Sequence, residues 1–194
     1  MSKRINIVGD AAADDLLDRD PFALLVGMLL DQQMPMERAF AGAWKLAERL
    51  GTTDRLDPVA IAAADPAKFA AIAAVPPAIH RFPGSMAGRI QALARIVADE
   101  YEGDAAGIWS AGSGPVVLSR LESLPGFGPQ KAKIFLALLG KQRGVKATGW
   151  RKACEPYGAA GSFLSVADVV DAKSLAKVRA TKQAAKAAAR GATD

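Results

Sequence analysis

Apolar residues recur along this chain at three- and four-residue spacing, and Pro and Gly punctuate the runs. Phe22, Leu25, Met28 and Leu29 mark one face of a helix over about 21–30. A polar break, Asp31-Gln32-Gln33-Met34-Pro35, separates it from a helix that runs to Leu50 and stops at Gly51. Short alanine-rich helices are predicted over 58–64 and 66–74. Asp20-Pro21, Asp57-Pro58 and Asp65-Pro66 repeat one start signal. Aspartate caps free amides, and proline fits the first turn because it has no N–H to leave without a partner. After Val75-Pro76-Pro77 and Phe82-Pro83-Gly84-Ser85, a longer helix carries Ile90, Leu93, Ile96 and Val97 to about Tyr101. Gly112-Ser113-Gly114-Pro115 opens a helix with Val117, Leu118 and Leu121; another carries Ile134, Phe135, Leu138 and Leu139. Residues 140–162 read as loop plus a short helix, and the last helix spans about 171–190. Ile5-Asn6-Ile7-Val8 is the one short β-like run, so the predicted fold class is all-α.

The length of 194 residues suits one domain, or two small helical lobes sharing a core. The division read from the sequence is a helical domain over 1–170 and a basic, alanine-rich helix or tail over 171–194. Aromatics are scarce at 6%, which leaves the core to Leu, Ile, Val and Ala. One cysteine, Cys154, excludes a disulfide framework and a four-cysteine cluster within the chain. One histidine, His80, excludes two-histidine metal sites, so no metal ligands are assigned. No apolar run is long enough to span a bilayer, and the polar, aspartate-rich start does not resemble a signal peptide. A protein without membrane contact, in the cytoplasm, is expected.

Charge changes the picture. Residues 1–120 hold 12 basic and 15 acidic residues, net −3. Residues 121–171 hold 7 and 4, net +3; residues 172–194 hold 6 and 1, net +5. Between Leu124 and Cys154 there are seven basic residues and no acidic one. Such a segment suits a phosphate-facing surface, or equally a solvated basic face.

The sharpest local signal lies at its start: Leu124-Pro125-Gly126-Phe127-Gly128-Pro129-Gln130-Lys131-Ala132-Lys133. A helix ends, two glycines one residue apart turn the chain, and a second helix begins at once. The glycines permit positive φ and close approach of another backbone. Outward amides and the helix dipole make the junction a ready anion site, with Lys131 and Lys133 adding charge. This segment resembles the helix-hairpin-helix motif of DNA-binding proteins that read no sequence. Upstream, Leu24 to Gln33 resembles the leucine-rich helix ending in a Gln-Gln pair of base-excision DNA glycosylases, and Phe82 to Ala94 resembles the helix before their hairpin. The three elements, in order over residues 20–150, resemble the helix-hairpin-helix/Gly-Pro-Asp superfamily.

That resemblance implies an all-α fold of two helical lobes around a DNA-binding cleft, acting as a monomer on double-stranded DNA. It implies backbone contacts through Gly126, Phe127, Gly128, Gln130, Lys131 and Lys133, with a monovalent cation at the turn carbonyls as the one group that could be held. It also implies a flipped nucleotide, with Gln32 and Gln33 in the loop that fills the gap. In the loop after the hairpin's second helix, however, the family's catalytic carboxylate has no counterpart. Residues 140–150 hold no Asp, Glu or Pro, and by spacing Lys146 stands in its place. The family's lysine nucleophile corresponds by spacing to Gln130; Lys131, one residue on, is expected to point elsewhere. Three readings follow: DNA binding without base release; a relocated acid, Asp31 or Glu155; or Lys146 as an amine nucleophile with a pKa lowered by burial. A helical scaffold with a protein partner is the competing class. Of the remaining residues, His80 reads as structural and Cys154 as an inert thiol. Trp150 is a better candidate than Trp109 for stacking on a base. The basic tail suits phosphates or plain solvent.

Overall fold

In the computed structural model, residues 4–191 are described, and they form ten α-helices and two 3₁₀ turns with no strand among them. The last three residues of the predicted 171–194 tail lie outside the described residues. No helix among those described is long and apolar enough to cross a membrane.

The Asp-Pro starts behave as the sequence predicts. Asp20, Asp57 and Asp65 each accept backbone amides at the head of α2 (Pro21–Leu30), α4 (Pro58–Ala63) and α5 (Pro66–Ala74). Asp20 does more than cap. Its second oxygen accepts the Leu56 amide at 2.6 Å, and burial raises its carboxyl pKa above the usual range. α1 (Ala11–Arg19) was not predicted, and the β-like run is not a strand. Ile5 and Ile7 are buried, yet their amides go to side chains: the Asp14 carboxylate accepts from Ile7, Val8 and Gly9, and Asp18 accepts from Ile5. Carboxylates of the new helix replace the neighbouring strand that extended backbone needs. Arg143 ties the same Asp18 to the end of α8 (Pro129–Gln142).

α2 is buried along its whole length from Phe22 to Leu30, not on one face. Gly27 lets α3 (Met36–Leu50) lie close, since a Cβ there would stand 2.6 Å from Phe40 Cδ1. α4 and α5 pack on α6 (Pro83–Glu100), and α7 (Gly114–Glu122) on α8. Phe135 of α8 meets Trp109 and Phe127 edge-on, with centroids at 5.6 and 5.9 Å. α9 (Trp150–Ala153) follows, and its Trp150 is not presented for stacking. It is 7% exposed and fills the space above Gly140. Cys154 is fully buried, which raises its thiol pKa. Beyond it, Lys141 and Asp168 close a half-buried ion pair at 2.6 Å, and α10 (Ala172–Gly191) docks through Val178.

Candidate functional site

A cavity of about 550 Å³ opens between the loop after α2, the head of α8, the segment at Tyr157 and one side of α10. Asp31, Gln32, Gln33, Gln130 and Lys131 all line it. The structure therefore brings together five residues read from separate parts of the sequence.

The hairpin is built around one close approach. Leu124 accepts the Phe127 amide at 3.1 Å, and Gly126 holds φ +77°. A Cβ on Gly126 would stand 2.5 Å from Leu29 Cδ1, so glycine is required both by conformation and by the contact with α2. Gly128 differs: φ is −79°, and a Cβ there meets nothing within 4 Å. Its freedom keeps the junction open to the outside. No side chain caps α8, which leaves its first-turn amides facing outward. Phe127 is 4% exposed and packs on Phe135, so its ring anchors the turn and only its main chain can meet a ligand.

Lys131 corrects the expectation that it points elsewhere. Its Nζ donates to the Leu29 carbonyl at 2.8 Å, inside the cavity. Lys131 belongs to the inward face of α8, one turn before Phe135, and that phase was readable from the apolar stripe. Burial lowers its pKa to about 8; the Asp31 carboxylate opposes the shift and Arg89 adds to it. Asp31 is shifted the other way. Burial raises its carboxyl, against the pull of Lys182 and Lys131. Neither group closes an ion pair among the described residues. Beside them, Gln130 donates Nε2–H to the Tyr157 hydroxyl at 2.8 Å. Lys133 is half-buried on the next turn-face of the same helix.

The two glutamines are not equivalent. Gln32 is tied down: its amide donates to Leu29 O at 2.9 Å and lies 3.4 Å from Met86 Sδ, while Arg89 reaches its Oε1 at 3.4 Å. Gln33 is exposed, with φ +56°. Buried His80 holds the loop from behind. Its Nδ1 accepts the Phe82 amide at 3.1 Å, so Nε2 carries the hydrogen and donates to Gln32 O at 2.9 Å. His80 is structural, as expected, but what it structures is the candidate site.

Lys146 and Glu155 are not part of this cavity. The loop after α8 is pinned to α7, because the Gly114 amide donates to Thr148 O at 2.7 Å. Lys146 is exposed beside Trp109 and Val145 in a separate groove. Sequence reasoning missed Tyr157 and the α10 residues Thr181 and Lys182 as lining groups. Nothing local marks them, since their place is set by the path of the chain after α9. Among the described residues no cluster of His, Cys, Asp and Glu could hold a metal ion.

A family model described as HhH-GPD superfamily base excision DNA repair protein matches residues 26–192. No curated protein and no solved structure matches the chain.

Proposed function

The chain belongs to the HhH-GPD superfamily of base excision DNA repair proteins, and from that premise we propose that it acts on a nucleotide flipped out of duplex DNA, with Lys131 as an amine nucleophile. The observation that carries this reading is the Lys131 ammonium, turned into the cavity it shares with Asp31 and held at a pKa of about 8. A half-buried amine of this kind supplies free base near neutral pH, which a solvated lysine does not.

The parts take these roles. The hairpin amides and the open junction at Gly128 hold the DNA backbone. Gln33, exposed and held by a loop anchored through Gln32 and His80, enters the space left by the flipped nucleotide. Between Ser123 and Lys131 the turn offers carbonyls and no carboxylate, a donor set that suits a monovalent cation rather than a divalent one. The carbonyls of residues 124–128 would hold it, and it would draw a phosphate oxygen to the turn. The unit that acts is the monomer.

In the reaction, Lys131 Nζ forms a bond to C1′ of the flipped nucleotide as the glycosidic bond breaks. The electron pair of that bond leaves with the base, which takes a proton from water. Asp31 accepts the proton that the amine loses, a task suited to a carboxyl with a raised pKa. When the C1′–O4′ bond opens, Asp31 returns its proton to O4′, the nitrogen lone pair forms the C=N bond, and an iminium joins Lys131 to the sugar.

Borohydride reduction of that iminium tests the proposal. A duplex carrying an abasic or damaged nucleotide should yield a covalent adduct with the intact protein and with Lys146→Ala, and none with Lys131→Gln. DNA binding and base unstacking without any adduct would leave recognition standing and refute the chemistry.

A further inference from the structure

α10 carries six cations, Lys173, Lys177, Arg179, Lys182, Lys186 and Arg190, and no acidic residue from Ala172 to Gly191. Two of them serve the protein itself. Arg179 pairs with Glu37 at the head of α3, and Lys177 sits 4.5 Å over the Phe163 ring. With buried Val178, these contacts fix the first half of the helix against the body. Thr181, Lys182 and Ala185 then line the same cavity as Asp31 and Lys131. From Lys182 to Arg190 every residue is exposed.

Lys182, Lys186 and Arg190 follow one another at four-residue steps. Each step rises about 6 Å and turns roughly 40°, so the three form a row about 12 Å long that starts at the cavity and winds onto the open side. Like charges at this spacing repel and weaken a helix. A solvated helix relieves that with interleaved Glu, and none is present here; alanine, the best helix former, holds the row straight instead. Lys182 lies in the field of the Asp31 carboxyl, whereas Lys186 and Arg190 close no ion pair among the described residues, which leaves them available to a negative partner. Beyond Val178 the helix offers only Ala as apolar surface, with no Leu, Phe or Trp to enter a bilayer. Those alanines also leave it slim enough to lie against a sugar–phosphate backbone.

We infer that Lys182, Lys186 and Arg190 form a second phosphate-binding surface, which grips the DNA strand that feeds its nucleotide into the cavity. The inference rests on the DNA-acting role proposed above. It follows from continuity, because the row begins at the cavity wall and a strand leaving that cavity passes along it.

The test is the salt dependence of duplex binding by the full chain, compared with Lys186→Ala/Arg190→Ala and with Lys186→Arg/Arg190→Lys. Alanine favours helix, so the first variant keeps its fold. Loss of two phosphate contacts lowers the slope of log K against log salt by about 1.8. The affinity ratio between about 50 and about 200 mM salt then shrinks roughly tenfold, while the charge-conserving variant keeps the slope of the intact protein. An unchanged slope in the alanine variant overturns the inference and leaves the DNA-acting role intact. No salt-dependent binding by the intact protein sinks both. Retention on polyglutamate that is lost in the alanine variant, while its DNA slope is unchanged, assigns the row to an acidic protein and overturns the inference as well.

Discussion

The pH profile of adduct formation follows directly from the environment of Lys131. At a pKa of about 8, roughly one amine in eleven is neutral at pH 7, against roughly one in 2500 for a lysine at its ordinary value of about 10.4. Burial therefore raises the supply of nucleophile roughly 200-fold at neutral pH. Single-turnover trapping measured from about pH 6 to pH 10 should rise about tenfold per unit and level off near 8. Asp31→Asn removes the carboxylate whose attraction opposes the shift. The knee of the profile should then move to lower pH, and the plateau should fall because no group takes the proton from the amine. A rate still climbing through pH 10 would show that the reacting amine is solvated and is not Lys131. An unmoved knee in Asp31→Asn would show that the two groups do not share one field.

Three further outcomes are expected. Gly126→Ala should cost about 1–3 kcal/mol in urea unfolding, from its φ of +77° and the contact with Leu29, whereas Gly128→Leu should cost under about 1 kcal/mol yet abolish DNA binding by blocking the open junction; equal losses of stability would refute the distinction. His80→Ala should remove about 1–3 kcal/mol and reduce the signal of a base analogue that reports unstacking, with the salt slope of binding unchanged; full unstacking would show that the Gln33 loop needs no anchor. Because burial raises the Asp31 carboxyl pKa, the folded state holds that proton more tightly than the unfolded chain and Asp31 loses stabilising effect as pH rises through that window, so Asp31→Asn should be at least as stable as the intact protein at pH 7 by urea midpoint.

Much of the fold was legible because its signals are local. The Asp-Pro starts, the stop at Gly51 and the turn at Gly126 each act through caps or φ within a few residues, and the structure uses them as read, whereas Gly128 takes an ordinary φ of −79° and crowds no neighbour. α1 escaped because its aspartates look like a solvated polar start; in fact Asp14 and Asp18 turn inward to satisfy the backbone of residues 5–9. In the site, the Gln pair and the hairpin were visible as motifs, but their division of labour was not. Gln32 is tied to Leu29 and Met86 by packing that no spacing encodes, and Gln33 is left exposed. Spacing from the hairpin points to Gln130 and passes over Lys131, although the helical phase that groups Lys131 with Phe135 turns it inward. The same spacing points to Lys146. The loop that carries it is fixed by the contact between Gly114 and Thr148, which only the tertiary structure supplies.

The central claim is that the amine meeting the sugar is that of Lys131. Peptide mapping by mass spectrometry of the borohydride-reduced adduct reads this directly, because fragmentation separates the four candidate lysines, two of them on α8 and the others in the loop after it and on α10. The account predicts the sugar remnant on Lys131, one residue after Gln130. A remnant on Lys146, Lys182 or Lys133, or base release that leaves no adduct on any lysine, would contradict it.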